Sequence, residues 1–265
     1  DLGHSSFEEV ARAIMTTDTF PKCASRKVRI AGRTGSVAGL CKGAGMIAPN
    51  MATMLCFIIT DVAVEQKTLS RIVKESAAKT FNRITIDGDM STNDTVLMMA
   101  NGALGNEPVG PGSPSLGAFR KAVEEVMYDL SELVVRDGEG ATKLIEVIVK
   151  GARSQADAEK AAFSVANSNL VKTAIYGNDA NWGRIMAALG YSGVRFREER
   201  TDISFGPVKV VRNGLSTKKD TEAAVVLKSK EVRITVDLHG GKSSAKVLTC
   251  DFTEDYVRIN AEYRT

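Results

Sequence analysis

The 265-residue sequence predicts a mixed α/β protein, a layered sandwich of helices and sheets. Three features predict it. Apolar residues at helical spacing alternate with short β-rich runs through most of the chain, the last third turns to strands, and the order does not follow a doubly wound dinucleotide fold.

Phe7, Val10, Ala11, Ile14 and Met15 recur at helical spacing until Pro21 ends the run. Val28 to Ile30 and Val37 to Leu40 read as hairpin strands parted by Gly32 and Gly35. A glycine-punctuated loop leads into an apolar strand, Met54 to Thr60. Residues 69–81 form an amphipathic helix with Leu69, Ile72, Val73 and Ala77 inward. Ile84 and Ile86 make a brief strand, and the Ser/Thr/Asn/Asp cluster after them caps a helix from about Val96. Residues 102–115 are a Gly/Pro-rich surface loop, too short to link domains. A second amphipathic helix spans 116–135, followed by the alternating strand Leu144 to Val149. Ser154 with Asp157 starts a helix over Ala158 to Val165, and another passes through Met186 and Leu189. The final strands are Val208 to Val211, Ala224 to Leu227, Val232 to Leu238 and Ala245 to Cys250. Turns at Asn213-Gly214 and Gly240-Gly241 join them into an antiparallel sheet.

Composition narrows the function. The 43% hydrophobic content supports a sizeable core, as one large domain or two intimate ones. Thirty-five basic against 32 acidic side chains, without a basic stripe, argue against a nucleic-acid partner. No apolar run is long enough to span a membrane. Cys23, Cys41, Cys56 and Cys250 lie far apart and are expected as reduced structural thiols. His4 and His239 are too few for a histidine metal site or a Ser-His-Asp triad. The chain starts without methionine inside a helical pattern, so the natural N-terminus is expected upstream.

KGAGMIAPN places Lys42 beside two close-approach glycines, Gly43 and Gly45, but lacks the order of a phosphate loop. Asp87, Asp89 and Asp94 form an acidic cluster better explained by turns and capping than by a metal. A threonine at a strand start, such as Thr53, is by itself ordinary.

The longer motifs change that weighting. KGAGMIAPNMATML, FNRITIDGDMSTNDT, RDGEGATK, NDANWGRIMAALGYSG and the terminal YVRINAEYRT occur in this order across the whole chain. Together they closely resemble the ornithine acetyltransferase family, the bifunctional glutamate N-acetyltransferases of arginine biosynthesis. The resemblance implies a self-processing, N-terminal-nucleophile enzyme cut between Ala52 and Thr53. Residues 1–52 would be the C-terminal part of an α chain. Residues 53–265 would be the β chain, with a central α/β part to about 195 and a strand-rich part from about 196.

Once cut, Thr53 would carry a free α-amine beside its hydroxyl. Such an amine has an unperturbed pKa of about 7.7–8 and can serve as general base, which removes the need for histidine. Acetyl would pass from N-acetylornithine to Thr53 and on to glutamate, with acetyl-CoA a further candidate donor and no cofactor or metal required.

Residue by residue, the resemblance assigns substrate binding to Thr19, Lys42, Thr53, Glu139, Asn260 and Thr265. Lys42 suits a carboxylate and Glu139 an amine. It also implies an oxyanion hole from a Thr-Gly pair N-terminal to this chain, an α2β2 heterotetramer and a cytoplasmic setting. Loss of one oxyanion donor costs roughly 10²–10³ in rate elsewhere. Two alternatives stay open, an aminopeptidase or amidohydrolase on the same scaffold and a non-catalytic relative. The intact Ala52-Thr53 bond in the sequence does not choose among them.

Overall fold

The computed structural model describes residues 6–48, 54–90 and 94–262. The chain packs as two compact units, Asp1–Gly138 and Glu139–Thr265.

The first unit opens with α1 (Phe7–Ala13), started by a Ser6/Glu9 capping box in which each side chain accepts the other's backbone N–H. β1 (Lys22–Ile30) and β2 (Arg33–Lys42) form an antiparallel hairpin longer at both ends than the apolar runs alone indicate. β3 (Leu55–Thr60) pairs antiparallel with β2, setting Cys41 opposite Cys56 and Lys42 opposite Leu55. α2 (Gln66–Ala77) follows. A 3-10 turn, Phe81–Arg83, then leads through Ile84 and Ile86. Both isoleucines are buried, but they belong to no strand.

The predicted helix from Val96 is a strand, β4 (Thr95–Ala100), parallel to β3 and at the edge of a sheet ordered β1-β2-β3-β4. The run TVLMMA is short enough to suit either state, and the open edge of β3 decides it. α3 (Leu116–Arg136) packs on β1 and β2 through Phe119, Val123, Val126, Met127 and Leu130, all buried. Gly39 makes this approach feasible, because a Cβ there would come within 2.7 Å of Leu130.

The second unit contains β5 (Leu144–Ala152), α4 (Gln155–Ala166), α5 (Asn169–Tyr176), α6 (Trp182–Tyr191), β6 (Asp202–Phe205), β7 (Val208–Arg212), β8 (Leu215–Ser216), α7 (Asp220–Leu227), β9 (Glu231–Asp237), β10 (Ser243–Cys250) and α8 (Glu254–Glu262). Ser154 caps α4 through the Asp157 N–H, as its spacing predicts. The expected strand at 224–227 is instead the end of α7, whose Ala223 and Leu227 are buried against the sheet.

The sheet order is β10-β5-β9-β6-β7-β8. β5 runs between β9 and β10, parallel to the first and antiparallel to the second, so the sheet is mixed where sequence implied an antiparallel one. Its inward residues include Ile145, Val147, Val149, Ile203, Ile234, Val236 and Val247. They join Ala158, Ala162 and Val165 of α4 in one hydrophobic cluster. On the other face Glu146 pairs with Arg233 and, at 3.4 Å, with Lys246. The alternation expected of a half-covered sheet is thus kept.

Candidate active site

Ala52, Thr53 and Thr265 lie outside the described residues. The flanks of the Ala52-Thr53 segment are described, and both are tightly held.

On the upstream side, Lys42 is the last residue of β2 and only 8% exposed, and its ammonium makes no ion pair among the described residues. After it, the Gly43 N–H donates to Asp18 Oδ1 at 2.7 Å and the Met46 N–H to Asp87 Oδ2 at 2.7 Å. Gly43 has φ +144°, in the region that favours glycine. On the downstream side, the Met54 N–H donates to the Asp94 carboxylate. Asp94 therefore bridges to β3 and caps no helix, contrary to the capping role its sequence suggests. Burial raises its pKa to about 6, against the opposing pull of the Met54 N–H and the Lys42 charge. Asp87 is likewise raised by burial, and it makes the expected turn by accepting the Asp89 N–H. No group of acids, cysteines and histidines among the described residues could hold a metal ion.

Thr19 is anchored from beneath. Its N–H donates to Asp137 Oδ2 at 2.9 Å, and its hydroxyl donates to Asp137 Oδ1. Lys22 Nζ sits 2.5 Å from both Asp137 and Asp18, with all three side chains almost wholly buried. Burial opposes ionisation of Asp18, yet the Gly43 N–H and Lys22 outweigh it and lower its pKa. One buried Asp-Lys-Asp cluster thus ties together Thr19, the end of β2 and the end of α3. Sequence reasoning noted Asp137 only as part of the acidic loop around Glu139 and gave Asp18 and Lys22 no role. The available signal was the β1 alternation, which puts Lys22 on the same inward face as Val28 and Ile30.

In the second unit, Glu139 and Asn260 come together. Asn260 Nδ2 donates to Glu139 Oε2 at 2.9 Å, and Asn260 stands exposed on α8. The loop can reach the helix because Gly140 has φ +68°. A Cβ there would meet the Tyr256 backbone nitrogen at 2.5 Å. Thr253 Oγ1 closes the contact by donating to the Gly140 carbonyl at 2.7 Å.

The rest of the RDGEGATK motif is architectural. Thr142 bonds Asp251, and Lys143 Nζ donates to the terminal carbonyls Ile175 of α5 (2.6 Å) and Leu227 of α7 (2.8 Å). NDANWGR is architectural too, since Asn181 caps α6 and Arg184 reaches the Leu170 carbonyl. His239 is spent on Asp202 at 3.3 Å.

The model of the ArgJ family matches residues 2–265. The arginine biosynthesis bifunctional protein ArgJ of Geobacter sulfurreducens is 53% identical over all of this chain and 68% of its own length. That of Symbiobacterium thermophilum is 52% identical over 97% of this chain and 64% of its own. The mitochondrial protein of Schizosaccharomyces pombe is 46% identical over 100% and 62%. The chain therefore spans about two thirds of the length of these relatives. A crystal structure of ArgJ from Bacillus halodurans superposes with a TM-score of 0.75 at 46% identity, covering 78% of this chain and 98% of that one.

Proposed function

This chain belongs to the ArgJ family, and we propose that it is an acetyltransferase of arginine biosynthesis with Thr53 as nucleophile. The observation that carries this is the family match over residues 2–265, a span that includes the Ala52-Thr53 segment.

Thr53 Oγ first attacks the Ala52 carbonyl, and the C–N bond breaks to give an ester. Water hydrolyses that ester, leaving an Ala52 carboxylate and the Thr53 α-amine. In transfer, the amine takes the hydroxyl proton as Oγ adds to the acetyl carbonyl of N-acetylornithine. The acetyl C–N bond then breaks and the proton goes to the departing amine, which leaves as ornithine. The amine of glutamate attacks the acetyl-threonine ester, forming N-acetylglutamate and returning the proton to Oγ.

Lys42 supports this role because it opposes Leu55, two residues beyond Thr53, and offers a cation to a substrate carboxylate. Glu139 and Asn260 supply an acceptor and an amide for the amino-acid backbone, and Thr265 adds a hydroxyl. The chemistry calls for neither metal nor cofactor, and acetyl-CoA is a second acetyl donor. The family resemblance supports an α2β2 heterotetramer in the cytoplasm. No helix among the described residues is long and apolar enough to cross a membrane.

Mass spectrometry of the full-length protein tests the first step, which requires a fragment beginning at Thr53. Thr53→Ala should abolish both cleavage and glutamate-dependent transfer. Acetate release independent of glutamate would make the protein a hydrolase, and an uncut, inactive wild type would make it a non-catalytic relative.

A further inference from the structure

Asp137 occupies an unfavourable place for a carboxylate. It caps the C-terminus of α3, where the helix presents its partial negative charge, and it is 4% exposed. Helix stability does not account for an acid there, and Lys22 at 2.5 Å is what makes it tolerable. Lys22 is shared with Asp18, so two carboxylates face one ammonium. What Asp137 gains is Thr19, whose N–H and hydroxyl both point into it.

A carboxylate oxygen only accepts, so the Thr19 hydroxyl is committed as donor to Asp137. Its remaining lone pairs are all it can offer outward, and Thr19 is exposed. The cluster beneath carries a net negative charge when both acids are ionised. A ligand group bearing N–H, and a positive charge in particular, suits that surface.

We infer that Asp137, held by Lys22, is a positioning residue of the acetyl-transfer site: it turns the Thr19 hydroxyl proton inward so that Thr19 meets the substrate as a hydrogen-bond acceptor for an amine or amide N–H. Asp18 does the companion task, fixing the Gly43 amide and with it the strand end that carries Lys42. The substrate is thereby read with its N–H end at Thr19 and a carboxylate at Lys42. This rests on the function proposed above.

The test is a double-mutant cycle on the full-length enzyme with Asp137→Asn, Thr19→Val and both together. Each single change should raise KM for N-acetylornithine and glutamate about tenfold, with kcat within about threefold. The double variant should be no more than about twofold worse than Thr19→Val alone, because Asp137 acts through Thr19. Thr19→Val alters an exposed side chain, so it keeps the cycle readable if Asp137→Asn lowers the folded fraction, which is counted by titrating acetylated Thr53. An unchanged KM in Asp137→Asn, or two effects that multiply, overturns the inference while leaving the acetyltransferase intact. A wild type that shows no glutamate-dependent transfer overturns the function instead. The same cycle is then read from ornithine binding by calorimetry, where wild-type binding weakened non-additively upholds the Thr19–Asp137 coupling and the absence of binding or of coupling removes it.

Discussion

Asp202 and Asp94 titrate in opposite senses and give the chain two separate pH signatures. At Asp202, burial raises the pKa, but Lys209 at 2.5 Å, the Asn213 N–H and His239 overcome it and hold the value at about 2. A folded pKa below the ordinary aspartate value gives stability that is complete above about pH 4 and lost as pH falls through about 2. The shift corresponds to about 2 kcal/mol. Asp202→Asn should lower the urea midpoint at pH 7 and leave it nearly unchanged at pH 2. Asp94, raised to about 6, contributes the reverse, since the folded state holds its proton longer than the unfolded chain and stability declines from pH 4 to 6. Asp94→Asn should therefore gain on the wild type across that interval and hold a constant advantage above it, as read from urea midpoints at pH 4, 5, 6 and 8. Thr19, Lys42, Glu139 and Asn260 were nameable from sequence because motifs mark them. The Asp18–Lys22–Asp137 cluster was not, because Lys22 and Asp137 are 115 positions apart and no local pattern records such a pairing.

At the scale of elements, Gly140 and Gly39 are positions where a helix packs too close to the backbone to admit a Cβ. Gly140→Ala would introduce positive-φ strain and a clash with the start of α8. It should cost roughly 1–3 kcal/mol and weaken amino-acid binding by separating Glu139 from Asn260, measurable as a lower Tm together with a higher KM. Gly39→Ala forces α3 away from β2 and should cost about 1–3 kcal/mol by overpacking, seen in the denaturant midpoint with little change in KM. The long periodic helices, α3 above all, were legible in sequence because their apolar stripe repeats over many turns. The two exchanged elements, β4 and α7, are short apolar runs that fit either period. For them the sheet edge and the core cavity, not propensity, select the state. The position of β5 inside the second sheet was equally hidden, since strand order depends on pairing between distant segments.

Across the whole molecule the four cysteines are reduced, with Cys41, Cys56 and Cys250 buried and Cys23 partly accessible. Burial raises the pKa of Cys23, Cys41 and Cys56 alike, which suppresses thiolate. Ellman's reagent at pH 8 should modify Cys23 first and slowly, and the buried thiols only on unfolding. Cysteine number and spacing sufficed to anticipate this, whereas the exposure of each thiol needed the fold.

The β2–β3 ladder has a consequence for how the protein comes into being. If the bond before Thr53 is cut, β1 and β2 belong to one polypeptide and β3 and β4 to the other, so a single sheet is shared between two molecules. The uncut precursor assembles that sheet in a first-order reaction. The mature protein, once denatured, can recover it only through a bimolecular encounter. Its refolding rate should rise with protein concentration, while Thr53→Ala refolds at a rate independent of it.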